Sequence, residues 1–139
     1  MIKVTIVSLA STLLFIPVVS LLEEGGLFFM IPLLLLLVLS LFLIARAGWF
    51  IAKKDTVRSE KYSKLINSIG LLALVWGMLG QLIGVIGMFD SVEKIGEIST
   101  HIFAAGLKVS ALPPVFGFVV FIVTRIATII LTWLQSEKA

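Results

Sequence analysis

The sequence predicts an all-α integral membrane protein, with three core transmembrane helices preceded by an N-terminal hydrophobic helix. Composition is the first reason. Of 139 residues, 60% are hydrophobic and 14% are Asp, Glu, Lys or Arg, and the mean hydropathy is +1.19. A water-soluble domain is about 25% charged and at this size leaves about a third of its surface exposed. It could not hide this much apolar side chain. Run length is the second reason: a helix of about 20 apolar residues crosses about 30 Å of hydrocarbon, and the chain holds four runs of that order. Lipid offers the backbone no hydrogen bonds, so each run must satisfy its own as a helix. Barrel strands would be about half as long and would alternate.

Several function classes fall away at once. The pI near 9.5 and net charge of +3 come from cations concentrated between two apolar runs, not spread along one face, so no nucleic-acid partner is expected. Cysteine is absent, which removes disulfides, thiol nucleophiles and cysteine metal sites. A single His and eight scattered carboxylates offer no metal cluster. No nucleotide loop or nucleophile arrangement is present. The sequence therefore predicts no catalytic residue, no metal, no cofactor and no enzyme.

The first run, Val4–Leu22, has 19 residues and belongs to an N-terminal segment, residues 1–24. Met1-Ile2-Lys3 ahead of an apolar stretch is also how a secretory signal begins, with Val18-Val19-Ser20 as a tolerable cleavage site and Pro17 as a kink or end. The segment is either a retained anchor helix or signal-like. Residues 25–139 form the membrane domain, with helices expected over about 26–50, 64–90 and 99–135. Its apolar runs are Gly25–Ala45, Leu65–Phe89 and Val109–Ser136, the last broken only by Arg125.

Charge sets the orientation. A short basic loop, residues 51–64, is expected between the second and third runs. Arg46, Lys53, Lys54, Arg58, Lys61 and Lys64 face only Asp55 and Glu60 there. Glu23-Glu24 and Asp90, Glu93 and Glu97 mark the opposite turns. Cationic short loops stay in the cytoplasm, so both termini are expected to be cytoplasmic if the first segment is retained. Topology alone accounts for the basic loop; a specific lipid or nucleic-acid site is the sharper alternative.

The third run carries a stripe of small residues. Gly70, Gly77 and Gly84 recur every seven residues, with Ala73, Gly80 and Gly87 interleaved. Glycine costs about 1 kcal/mol of helix propensity relative to alanine in water. Five of them on one stripe point to close backbone packing, which is what drives helix association in membranes.

Three stretches carry a family resemblance. Gly70-Leu71-Leu72-Ala73-Leu74-Val75-Trp76-Gly77-Met78 resembles the Gly-Leu-Leu-Gly-Thr-Val-Trp-Gly-Met stretch of the MotA/TolQ/ExbB proton-channel family. Ala104-Ala105-Gly106-Leu107 followed by Ala111-Leu112-Pro113 is similar to that family's Thr-Ala-x-Gly-Leu and Ala-Ile-Pro stretches. Gly25-Gly26, Met30, Pro32 and Arg46 resemble its first helix, although Ala45 stands where the family has Glu. The resemblance implies an ExbB/TolQ-like inner-membrane subunit of a homo-oligomeric, five-fold ring around a single-span ExbD/TolR-like partner that carries a membrane aspartate. It also implies proton flow driving work at the bacterial cell envelope. Leu74 occupies the place of the family's first threonine, and Ala104 or Ala105 that of the second. The large cytoplasmic domain is reduced to the short segment Ile51–Lys64.

Spacing nominates the polar groups that could still serve a pore or partner. Asn67, Leu74 and Gln81 share a stripe at seven-residue intervals, so two amides flank the missing hydroxyl. Either amide could hold pore water, or bond across to a neighbouring helix for about 0.6 to 2 kcal/mol. His101, Ala104, Ala105 and Lys108 fall on another helical face. A lysine inside a membrane helix is by default a functional candidate, yet one near the outer mouth simply snorkels. Histidine is the side-chain type that changes charge near neutral pH, against a solvated role beside Ser99 and Thr100. Arg125 is expected at the inner interface, Thr124, Thr128 and Thr132 to bond back to their own helix, and Pro113-Pro114 to kink the last helix.

A ring subunit of a proton-driven motor is the first function these features suggest. A non-conducting structural subunit is the second, favoured by the replaced threonines. A small four-helix exporter is the third, and it would have to rely on Glu23 and Glu24.

Overall fold

The computed structural model describes residues 2–12 and 26–138. Among the described residues five helices follow in order: α1 (Ile2–Thr12), α2 (Leu27–Ala52), α3 (Thr56–Ile95), α4 (Thr100–Ser110) and α5 (Leu112–Lys138). There is no strand among the described residues. Three stretches are long and apolar enough to cross a membrane: Leu27–Ala52, Thr56–Ile95 and Thr100–Glu137. Of the first apolar run only α1 is described, with Ile2, Val4, Ile6, Val7 and Leu9 exposed. Pro17, the Val18-Val19-Ser20 stretch and Glu23-Glu24 lie outside the described residues.

Gly26 opens α2 at φ 83, a left-handed conformation glycine adopts without steric cost. Its carbonyl accepts from the Phe29 and Met30 N–H groups, both at 3.1 Å. At the other end the basic segment differs from expectation. Instead of a loop over residues 51–64, α2 continues through Ala52, the turn is confined to residues 53–55, and α3 begins at Thr56. The reason is local. The Asp55 side chain caps α3 by accepting from the Arg58 N–H at 3.2 Å, one of the helix's unpaired first-turn donors. Glu60 then pairs with Lys64 one turn on, at 3.1 Å, a helical spacing.

The last span, expected as one helix over 99–135, is divided at a single residue. α4 ends at Ser110, and α5 starts at Leu112 with Pro113 and Pro114 in its first turn. A proline inside a helix withholds a hydrogen bond, whereas in a first turn the N–H has no helical acceptor to lose. Ala111 between α4 and α5 keeps helical dihedrals, φ -80 and ψ -14, so the two helices run on as the single kinked span Thr100–Glu137. Both prolines are buried.

α3 packs against α5 and α4 in one continuous antiparallel register. Ser59 meets Gln135, Asn67 meets Thr128, and Gly70 meets Thr124. Further along, Gly77 meets Pro113 and Gly117, Gly84 meets Ser110, and Met88 meets Gly106. On its other side α3 packs on α2, where Ala73 clusters with Met30, Leu33 and Val120. A second cluster of Leu43, Ala47, Ile51, Ile66, Ile69 and Leu131 lies toward the basic end. The buried set contains Ser40, Ser59, Ser63, Ser110, Thr124 and Thr128, while Leu34, Leu35, Phe42, Ile86, Ile122 and Ile129 are exposed. Small and hydroxylated residues inside with large apolar ones outside is the arrangement lipid favours, because tails solvate Leu as well as protein does.

A polar clasp ties the three spans together at the basic end. Gln135 Nε2 donates to Ser59 Oγ at 2.7 Å, and the fully buried Ser59 hydroxyl donates to the Ala47 carbonyl at 3.4 Å. Gln135→Leu and Ser59→Ala are each expected to cost about 1 kcal/mol, the usual net worth of one such bond. The double variant should cost little more than Ser59→Ala alone, because that change already removes the Gln135 contact along with the bond to the Ala47 carbonyl. Equilibrium unfolding in mixed micelles measures this; fully additive losses would show that the two side chains act separately.

Candidate functional site

The small-residue stripe is the scaffold of the site, and its partner is the chain's own last span. A Cβ placed on Gly77 would lie 2.7 Å from the Pro113 carbonyl oxygen and 3.0 Å from Pro114 Cα. One on Gly117 would lie 2.7 Å from the Ala73 carbonyl oxygen and 3.4 Å from Gly77 Cα. The two backbones thus touch where Ala73 and Gly77 cross Gly117. Gly80 meets Pro113 and the Phe29 ring, and Gly84 meets Ser110. The stripe ends there. Gly87 has nothing within 4 Å of where its Cβ would be, so among the described residues it packs against no other helix.

Asn67, Leu74 and Gln81 run along the α5 side of this seam, all half-buried. Asn67 is engaged: its side-chain amide lies 3.2 Å from Thr128 Oγ1. Thr128 already gives its hydroxyl proton to the Thr124 carbonyl at 2.6 Å. A hydroxyl has one proton, so the Asn67 contact closes when the amide turns its NH2 toward Thr128, an orientation fixed by the hydrogen-bond network. Gln81 makes no hydrogen bond among the described residues. Thr124 and Thr132 donate to the Phe121 and Thr128 carbonyls at 2.8 Å each, as their spacing predicts. Trp76 packs rather than anchors, its Nε1–H donating to the Phe29 carbonyl at 3.2 Å.

On α4 the side facing α3 is made by Phe103, whose ring centroid lies 6.1 Å from that of Phe89, together with Gly106 and Ser110. His101, Ala104 and Lys108 occupy the opposite side and are exposed, and no α2 or α5 residue hydrogen-bonds or ion-pairs with them among the described residues. Ala105, also exposed, borders an open apolar cavity of about 610 Å³ between α3 and α4 above the start of α2. The register sets Lys108 level with Ile86, about one turn from Asp90 at the end of the apolar run. That is the position from which a lysine stem can reach the interface. Arg125 lies near the other end of the span, its guanidinium 5.2 Å from the Phe121 ring centroid.

The pore and partner candidates are not brought together within the chain. Asn67 lies level with Thr128. Leu74 lies level with Val120, and Ala104 and Ala105 lie level with Phe89 and Asp90, so the two alanines sit roughly 22 Å from Leu74 along the helix axis. Gln81 falls between, level with Pro113. The residues missed from sequence are Ser59, Gln135 and Phe29. Nothing in local spacing marks them, because each acts on a different span.

A multi-pass helical membrane protein, packed on a glycine seam and presenting an uncovered polar face on α4, is the class this fold and site define. The chain belongs to the MotA/TolQ/ExbB proton channel family, which matches over residues 51–138. That match takes in α3, α4 and α5, so the Trp-Gly-Met and Ala-Leu-Pro stretches lie within it, whereas the Gly25–Phe50 resemblance lies outside. Comparison with curated proteins and with solved structures found no match.

Proposed function

We propose that the chain is a ring subunit of an ExbB/TolQ-like complex of the bacterial inner membrane, driven by proton-motive force and serving ion or protein transport. It assembles as a homo-oligomer, five-fold as in the family, around a single-span ExbD/TolR-like partner with a membrane aspartate. The observation that carries this is the family match across α3–α5, joined to the free α4 face of His101, Ala104 and Lys108. Lys108 can contact the partner or an anion from that face, and Leu74, Gln81 and Ala105 line the approach from the seam. The basic end, from Arg46 to Lys64, lies in the cytoplasm.

Native mass spectrometry of the full chain drawn from its own membranes tests this. A pentamer carrying a single-span companion is expected; a dimer without one would sink the ring. The replaced threonines favour a second reading, a non-conducting structural subunit of an envelope assembly. Leu74→Thr separates the two. In a conducting ring, the restored hydroxyl should raise proton flux into proteoliposomes about fivefold, the rate equivalent of one hydrogen bond. Unchanged flux in an intact pentamer would leave the structural subunit.

A further inference from the structure

A pocket of about 390 Å³ opens where α2 ends and α3 begins, lined by Arg46, Phe50, Arg58, Lys61, Tyr62 and Leu65. Its base is a pair of rings: Phe50 and Tyr62 stack with centroids 5.4 Å apart and planes at 21°. Two guanidinium groups gather on the same phenyl ring, Arg46 at 5.5 Å and Arg58 at 5.6 Å from its centroid. A ring quadrupole attracts a cation, yet bringing two cations to one ring opposes them to each other. Asp55 answers only one of them, at 3.4 Å from Arg58 Nε. Among the described residues, Arg46 and Lys61 pair with no carboxylate. The pocket therefore carries three cations against one anion, held by aromatic contacts in a shape that lacks its counter-charge.

Its height in the membrane says what that counter-charge is. Leu27–Ala45 are nineteen uncharged residues that rise about 28 Å as a helix, close to the hydrocarbon thickness. Arg46 follows directly, at the level where phospholipid phosphates lie. On α3, Leu65 closes the pocket on its apolar side and is itself exposed, so an acyl chain can leave the pocket along the lipid-facing surface. Guanidinium groups match phosphate oxygens in planar, two-pronged geometry. We propose that this pocket binds the phosphodiester headgroup of an anionic phospholipid, with Arg46 and Lys61 as its principal contacts and Arg58 as a third. The site is independent of the ring and its partner.

The test titrates the full-length protein in neutral detergent micelles with phosphatidylglycerol, phosphatidylcholine and glycerol 3-phosphate, counting bound molecules by native mass spectrometry. Phosphatidylglycerol should bind and the other two should not. At about tenfold per charge-assisted hydrogen bond to the phosphate, Arg46→Gln with Lys61→Gln should weaken binding about a hundredfold. Both side chains lie outside the core clusters, and an unchanged helical circular dichroism spectrum confirms the fold. Lys53→Gln with Lys54→Gln removes equal charge outside the pocket, where exposed charges are screened and contribute little, and should leave the affinity within about twofold of the parent. Equal losses in the two pairs would overturn the pocket in favour of diffuse surface charge. Binding of glycerol 3-phosphate as tight as that of the lipid would overturn the lipid assignment, and so would equal binding of phosphatidylcholine.

Discussion

Gly77→Leu should destabilise the monomer itself by about 3 kcal/mol, before any question of assembly arises. The Cβ alone would stand 2.7 Å from the Pro113 carbonyl oxygen and 3.0 Å from Pro114 Cα. Both are backbone atoms in the first turn of α5, fixed by two proline rings that leave φ no freedom. No side-chain rotation relieves such a contact. α3 and α5 must move apart, losing the packing of Ala73 and Gly77 on Gly117. The cost is put at about 3 kcal/mol, the upper part of what overpacking usually exacts, and it exceeds the roughly 1 kcal/mol of helix propensity that replacing a glycine recovers in water. Gly87→Leu is the matched control, since nothing lies within 4 Å of its Cβ position. Unfolding in mixed micelles should lower the stability of the Gly77 variant steeply and leave that of the Gly87 variant unchanged or raised by up to about 1 kcal/mol. Equal stabilities would mean that the glycine seam is not where α3 and α5 are held.

Gly70→Ala is the second large effect, and it differs in being repairable. Here the obstacle is a side chain: the new methyl would run into Thr124 Oγ1, with Thr124 Cβ at 3.0 Å. Thr124 cannot easily turn away, because it is β-branched, almost fully buried, and bonded through its hydroxyl to the Phe121 carbonyl at 2.8 Å. Gly70→Ala should therefore cost about 2 kcal/mol. Thr124→Ala alone should cost under about 1 kcal/mol, since the hydroxyl bonds only within its own helix. Combined, the pair should recover most of the loss, with a coupling of about 1 to 2 kcal/mol. Strict additivity in the double-mutant cycle would place Gly70 and Thr124 out of contact. No corresponding side-chain change can rescue Gly77, which distinguishes a seam closed by backbone from one closed by a threonine.

These two glycines also show how much of the protein is legible in its sequence. Their seven-residue spacing is enough to say that one face of α3 is packed closely, because a helix places such positions on one stripe. It does not say against what. Pairing depends on how the chain returns, and the double proline announces the kink in that return without giving its direction. The same limit governs the candidate site. Asn67 and Gln81 are equivalent by spacing, yet one reaches Thr128 and the other has no partner among the described residues, because the level of each on α5 is set by the α3–α5 register. The basic segment reads as a loop in the sequence for a related reason. Its charges suit solvent, but the Asp55 cap and the Glu60–Lys64 pair let a charged stretch stay helical above the membrane.

The sequence by itself determined the solvent in which this protein folds, the approximate spans and the charged poles, because each follows from a sum over neighbouring residues. The Gly70–Met78 stretch and the Ala104–Pro113 stretch carry the family resemblance on their own residues. Tertiary structure alone decided that the glycine stripe is spent on the chain's own last span and that the α4 face of His101, Ala104 and Lys108 is left open. It also drew Arg46, Arg58 and Lys61 from two helices around one phenyl ring. Helical periodicity fixes which side chains share a face; only the packing of one helix on another fixes which face is covered, and at what height.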